Sequence, residues 1–106
     1  MDQAYTIFFT LDACQDLEAA FDWIKDDNPD AAGDFVVALR RRCEVDLAAT
    51  PRMGVQLELA NGTSLYALTC GQYRIFYGVD EDAQSVTVFR ILHTSRDITH
   101  IIKLAA

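Results

Sequence analysis

The sequence predicts an α+β domain: an N-terminal strand, an antiparallel helical hairpin, then a four-stranded antiparallel meander with the helices packed on one face of the sheet. Three observations lead there. A compact β-branched and aromatic run opens the chain. Two stretches with apolar residues every three to four positions follow, up to Thr50-Pro51. After Met53-Gly54 the apolar period switches to two and stays there. The 106 residues, 51% hydrophobic and 24% charged, suffice for one core without metal or disulfide support. No repeat, low-complexity segment or composition shift divides them, so residues 1–106 read as a single domain.

Tyr5 to Phe9 is too short for a helix and rich in strand formers, which makes it the first strand. Asp12 is placed to cap a helix whose apolar face is Leu17, Ala20, Phe21 and Ile24. Asn28-Pro29 restarts the chain, with Asn28 as cap and Pro29 at the first helical position, where its missing N–H costs nothing. Ala32, Phe35, Leu39, Cys43 and Leu47 then draw a second stripe. Arg40, Arg41 and Arg42 lie late in this helix and read as a solvated face, pairing with Glu44, Asp46 and the negative helix end. Val55, Leu57 and Leu59 alternate with Gln56 and Glu58 up to an Asn61-Gly62 hairpin turn. Strands from about Thr63 to Cys70, Tyr73 to Val79 and Ser85 to Leu92 are separated by Gly71-Gln72 and by Asp80-Glu81-Asp82. The tail around Ile98 to Ile102 is apolar enough to dock as a short helix or extra strand.

The net charge of -7 is unevenly placed. Residues 1–39 hold nine acids against Lys25 alone, whereas residues 40–106 hold seven acids against eight bases. A polyanion would have to approach the second half while the whole molecule repels it, which argues against direct nucleic-acid binding. Cys14, Cys43 and Cys70 form no C-x-x-C pair and have no histidine at zinc-ligand spacing, so they read as buried free thiols. Met1 is followed by Asp2 and Gln3 with no basic or long apolar run, so neither a leader nor a membrane span is expected and the protein is expected in the cytoplasm. The five glycines match no phosphate-cradling loop, and no carboxylate or histidine cluster has metal-ligand spacing. No cofactor and no metal are expected.

The constellation that carries chemistry is Arg74, Arg90, His93 and Arg96. Arg74 stands on a strand of otherwise large apolar residues, where a guanidinium pairs with a carboxylate, such as Glu58 or Asp97, or faces a groove built for an anion. Period two puts Arg90 on a face with Leu92 without deciding which face. His93 and Arg96 fall where the last strand ends. An imidazole there either transfers protons or caps the strand end.

Asp16-Leu17 with Trp23-Ile24, Asn28-Pro29 with Ala31-Ala32 and Phe35, Leu47-Ala48, Pro51-Arg52-Met53-Gly54, Tyr73-Arg74-Ile75-Phe76-Tyr77 and Val88-Phe89-Arg90-Ile91-Leu92-His93 followed by Arg96-Asp97 occur in an order and spacing that resembles the RelE/ParE superfamily of type II toxin–antitoxin toxins. The resemblance implies a compact sheet with an N-terminal helical hairpin, neutralised by an antitoxin wrapped over it. It also implies one of two targets. RelE-like members cut messenger RNA on the ribosome with basic residues and a C-terminal Tyr, or a Glu and a His; ParE-like members poison DNA gyrase without that set. Arg74 and Arg96 match the arginines that contact the cleaved phosphate. Gln56-Leu57-Glu58-Leu59 stands where lysines are usual, and Ile102 or its neighbourhood where the Tyr belongs. Glu58 with His93 is the available acid–base substitute. These departures favour a ParE-like toxin of the plasmid-stabilisation type. The alternatives are a RelE-like ribosome-dependent endonuclease and a non-toxic binding module on the same scaffold. Toxins of this kind are usually basic and their antitoxins acidic, so this acidic chain is expected to meet its antitoxin through apolar burial, as an amphipathic segment or an added edge strand.

Overall fold

The structure is a computed structural model that describes residues 4–58 and 64–95. The Asn61-Gly62 turn, Arg96, Asp97 and the 98–102 tail lie outside the described residues. β1 (Thr6–Phe9) is followed by α1 (Leu11–Asp27) and α2 (Pro29–Arg41), then by β2 (Val55–Glu58), β3 (Ser64–Cys70), β4 (Tyr73–Asp80) and β5 (Ser85–His93). The predicted strand, hairpin and meander are all present. The sheet has the order β1-β5-β4-β3-β2, so the first strand lies beside the last. It pairs there in parallel, Ile7 opposite Val86 and Phe9 opposite Val88, while the other three pairings are antiparallel. The meander is thereby completed into a mixed five-stranded sheet.

The cap of α1 is Thr10 rather than Asp12. The Thr10 hydroxyl accepts the Ala13 N–H at 3.1 Å and donates to the Phe89 carbonyl at 2.9 Å, so one side chain closes the helix and ties it to β5. Asp12 sits in the first turn instead, where its charge still favours the helix dipole. Asn28 caps α2 as expected, accepting the Ala31 N–H at 3.2 Å, with Pro29 at the first position. Beyond Arg41 the helix widens into a π-helical segment, Arg42–Leu47, in which Cys43 and Leu47 are both fully buried.

The helices lie on the sheet face formed by Leu68, Tyr73, Ile75, Tyr77, Val86, Val88 and Ile91, with Ala13, Ala20, Leu39, Cys43 and Leu47 packed against it. Each large aliphatic side chain closed off from water here contributes roughly 1.5–3 kcal/mol. Gly54 is required at the entry to β2. A Cβ there would stand 2.7 Å from both the Ala67 carbonyl oxygen and the Tyr77 hydroxyl, and the Gly54 N–H donates to that hydroxyl at 3.0 Å. The opposite face carries a second, smaller cluster of Leu65, Phe76 and Leu92.

The cysteines are free, but only Cys43 is buried as expected; Cys70 is half-buried and Cys14 is exposed. Cys14 lies next to the fully buried Ala13, a helical step that turns it from the core to the surface.

Candidate functional site

A β-bulge decides which side chains of β5 face which way. Phe76 pairs with Arg90 and Tyr77 with Val88, leaving Phe89 as the extra residue. Before the bulge Val86 and Val88 point to the helices; after it Ile91 does, and His93 follows at the next period-two step. Uninterrupted alternation from Val88 would have sent Arg90 and Leu92 inward. The bulge sends Leu92 to the outer face and brings His93 to the helix side.

Arg74 is half-buried on the outer face, paired in register with Thr69 and Leu92 and two residues from Phe76. Among the described residues no carboxylate pairs with it. Glu58, the partner suggested by sequence, is opposite Ser64 and on the helix-side parity of Gln56 and Tyr66, so it does not reach Arg74. The same register separates Glu58 from His93. Ser64 and Cys70 mark their levels on β3, which puts them roughly 20 Å apart along the strands and on strands two others separate. Arg74 and His93 are close in register but on opposite faces. Thus the structure brings none of Arg74, His93 and Glu58 together, and Arg96 lies outside the described residues.

His93 is occupied at the strand end. Its Nδ1 accepts the Ser95 N–H at 3.1 Å and is 2.7 Å from the Ser95 hydroxyl, its Nε2 is 3.3 Å from Gln72 Oε1, and its ring meets Tyr73 edge-on at 5.2 Å. With Nδ1 accepting from the Ser95 N–H, Nε2 is the nitrogen left to donate to Gln72. These contacts tie the ring to the end of the strand.

Arg90 is engaged by a residue that the sequence could not single out. Asp16 on α1 accepts from Arg90 Nε at 2.7 Å, from Arg90 Nη2 at 3.0 Å and from the Ile91 N–H at 3.0 Å. The hydrogen bonds to Asp16 hold the Arg90 guanidinium above its ordinary pKa. β1 ends opposite Val88, so Asp16 serves as a substitute edge for β5 just past the end of its partner strand. Only the Asp16-Leu17 element of the resemblance pointed to this position. On the other flank, Trp23 is 75% exposed beside an open cavity of about 380 Å³ whose walls include Ile24, Asp27, Phe35, Tyr73 and His93. Trp23 is not part of the Leu17, Ala20, Phe21 and Ile24 stripe, and its exposure was not among the expectations from sequence. Among the described residues no group of His, Cys, Asp and Glu is arranged to hold a metal ion.

Residues 7–98 match the family model described as the ParE toxin of the type II toxin–antitoxin system parDE. The chain belongs to this family. Its match takes in both helices, β2 to β5 and β1 from Ile7 onward, so the bulge, the Asp16 clamp and the outer-face Arg74 lie within the part of the chain that matches. The fold is also shared with solved structures. A chain of the RelBE2 toxin–antitoxin complex from Mycobacterium tuberculosis is 25% identical with a TM-score of 0.65, covering 85% of this chain and 98% of that one. A chain of the chromosomal ParDE system of P. aeruginosa is 17% identical with a TM-score of 0.63, over 87% and 98%. The isolated E. coli RelE toxin is 16% identical with a TM-score of 0.59, over 96% and 97%. No curated protein matches the sequence. Family membership makes this a type II toxin–antitoxin toxin and leaves both branches represented among its structural neighbours.

Proposed function

We propose that the chain is a ParE-like toxin that inhibits DNA gyrase and is neutralised by a cognate antitoxin, acting in the cytoplasm as part of a plasmid-stabilisation type system. The observation that carries this reading is the dispersal of the nuclease candidates: Arg74 on the outer face, His93 capping a strand end on the other, Glu58 at the far end of the sheet. Phosphodiester cleavage needs an acid, a base and a cation converging within hydrogen-bond reach of one phosphate. A toxin that works by binding a protein needs none of them. The net charge of -7 supports the same side, because a ribosome-directed enzyme must approach a dense polyanion. The antitoxin partner is supported by the solved neighbours, which include the toxin–antitoxin complexes RelBE2 and ParDE. No helix among the described residues is long and apolar enough to cross a membrane.

Purified protein is expected to inhibit gyrase supercoiling in vitro and to leave transcripts intact in cells. Transcript cleavage together with uninhibited gyrase at saturating protein would reject the proposal. One observation favours the second reading, a RelE-like endonuclease: Arg74 stands on the outer face and pairs with no carboxylate among the described residues, as a phosphate-contacting guanidinium would. On that reading Arg74→Ala abolishes cleavage and leaves the circular-dichroism spectrum unchanged, whereas the gyrase reading expects no cleavage from either protein. Growth arrest on induction without antitoxin would exclude the third reading, a non-toxic binding module.

A further inference from the structure

The groove beside Trp23 has a chemistry opposite to the one the family leads one to expect of an antitoxin site. Trp23, the only tryptophan of the chain, is 75% exposed on α1, although a ring this large normally buries most of its surface. It borders the cavity of about 380 Å³ whose lining is mixed, apolar Ile24, Phe35 and Tyr73 beside polar Asn28, Gln72 and His93, and an adjoining hollow of about 500 Å³ that it shares with Asp26 and Asp27. Those two carboxylates end α1, at the negative pole of the helix dipole, where local electrostatics disfavours acids. Among the described residues no cation pairs with either. Lys25, which precedes them in the last turn, is exposed and lies 5.8 Å from the Phe21 ring centroid instead. With nine acids and one base in residues 1–39, the field over this end of the molecule is strongly negative.

Resting on the toxin–antitoxin reading, we infer that this groove takes a cationic amphipathic segment of the antitoxin: an apolar anchor packs between Trp23 and the Phe35–Tyr73 ring pair, whose centroids are 4.9 Å apart, while flanking Lys or Arg side chains meet Asp26 and Asp27. An indole face beside two carboxylates is well suited to a guanidinium or ammonium, which gains cation–π attraction and an ion pair together. The misplaced acids at the helix end then have a purpose, since an incoming cation relieves repulsion that the free protein carries. An acidic antitoxin segment would meet like charge at the same place.

Trp23 is also the reporter for the test. The full chain is titrated with a synthetic amphipathic helical peptide carrying leucines on one face and lysines on the other, and with the same peptide carrying glutamates in place of the lysines. The lysine peptide is expected to shift Trp23 emission to the blue in a saturating manner, more weakly as salt rises, and the glutamate peptide to leave it unchanged. Asp27→Lys is expected to weaken the lysine peptide about tenfold, while Asp82→Lys, which changes net charge equally but lies in the β4–β5 turn, leaves it near the unmodified value. Asp27→Lys removes an acid from a helix C-terminus, so folding is not at risk, and circular dichroism verifies this. Equal binding of both peptides, absence of a Trp23 shift, or equal weakening by the two substitutions would each overturn the inference. Gyrase inhibition and growth arrest are measured without any peptide, so a failure here is distinct from a failure of the toxin reading.

Discussion

Among single residues, the three cysteines show most directly how environment sets chemistry. Burial, with smaller contributions from Cys70 and Glu44, pushes the Cys43 thiol from 9.0 up to about 12. The folded protein therefore keeps this proton after the unfolded chain has lost it. Stability present below pH 9 should fall as pH rises from about 9 to about 12, by roughly 1.4 kcal/mol per unit at its steepest. Urea unfolding across that range checks the slope, and Cys43→Ala, which removes one sulfur, should flatten it. Burial also raises Cys70, Tyr73 and Tyr77, so the flattening is partial. Cys14 behaves differently because it is exposed. A thiol reagent should modify Cys14 rapidly in the native protein and Cys43 only on unfolding, and Cys14→Ser should delete the fast phase. At Gly54 the constraint is steric: Gly54→Ala drives a methyl into the Ala67 carbonyl and Tyr77 hydroxyl, at a cost of about 1–3 kcal/mol in chemical denaturation.

At the level of elements, α1 does more than cover the sheet. Thr10 and Asp16 together attach it to β5 on either side of the bulge, through the Phe89 carbonyl, the Ile91 N–H and the Arg90 guanidinium. Asp16→Ala leaves a partly buried guanidinium and a strand N–H without acceptors, and should cost roughly 2–4 kcal/mol. Asp16→Asn keeps one acceptor oxygen and should recover part of the loss. Thermal melts of the two variants separate these terms; equal destabilisation would show that the charge alone matters. The elements themselves were readable in the sequence: Asn28-Pro29, Gly71-Gln72 and the change of period after Gly54 mark boundaries that the structure reproduces within a residue or two. The Asp12 cap failed because two polar residues, Thr10 and Asp12, flank the helix start, and only the hydroxyl's second bond to Phe89 favours the earlier one.

For the whole molecule, the parallel pairing of β1 with β5 joins segments some eighty residues apart, and long-range pairing of this kind is slow to form. It also covers an edge. Deleting residues 2–9 would expose the Ser85 to Val88 edge and remove the Ile7 and Phe9 contribution to the core. The truncated protein is expected to aggregate or self-associate relative to the full chain, read by size-exclusion chromatography of the two. Monomeric behaviour of the truncated protein would contradict an edge-covering role.

Residue order and spacing alone carried the α+β architecture, the hairpin and meander, and the resemblance to the toxin superfamily, because propensity, capping and apolar period act over a few neighbours and leave a local record. Tertiary structure decided where the chemistry-bearing side chains go. One unpaired residue at Phe89 inverts the parity of everything after it in β5, so the facing of Leu92 and His93 could not be read from alternation. Whether Glu58 meets His93, or Asp16 meets Arg90, depends on register and edge contacts between segments far apart in the chain, and such distances are set by packing rather than by any local pattern.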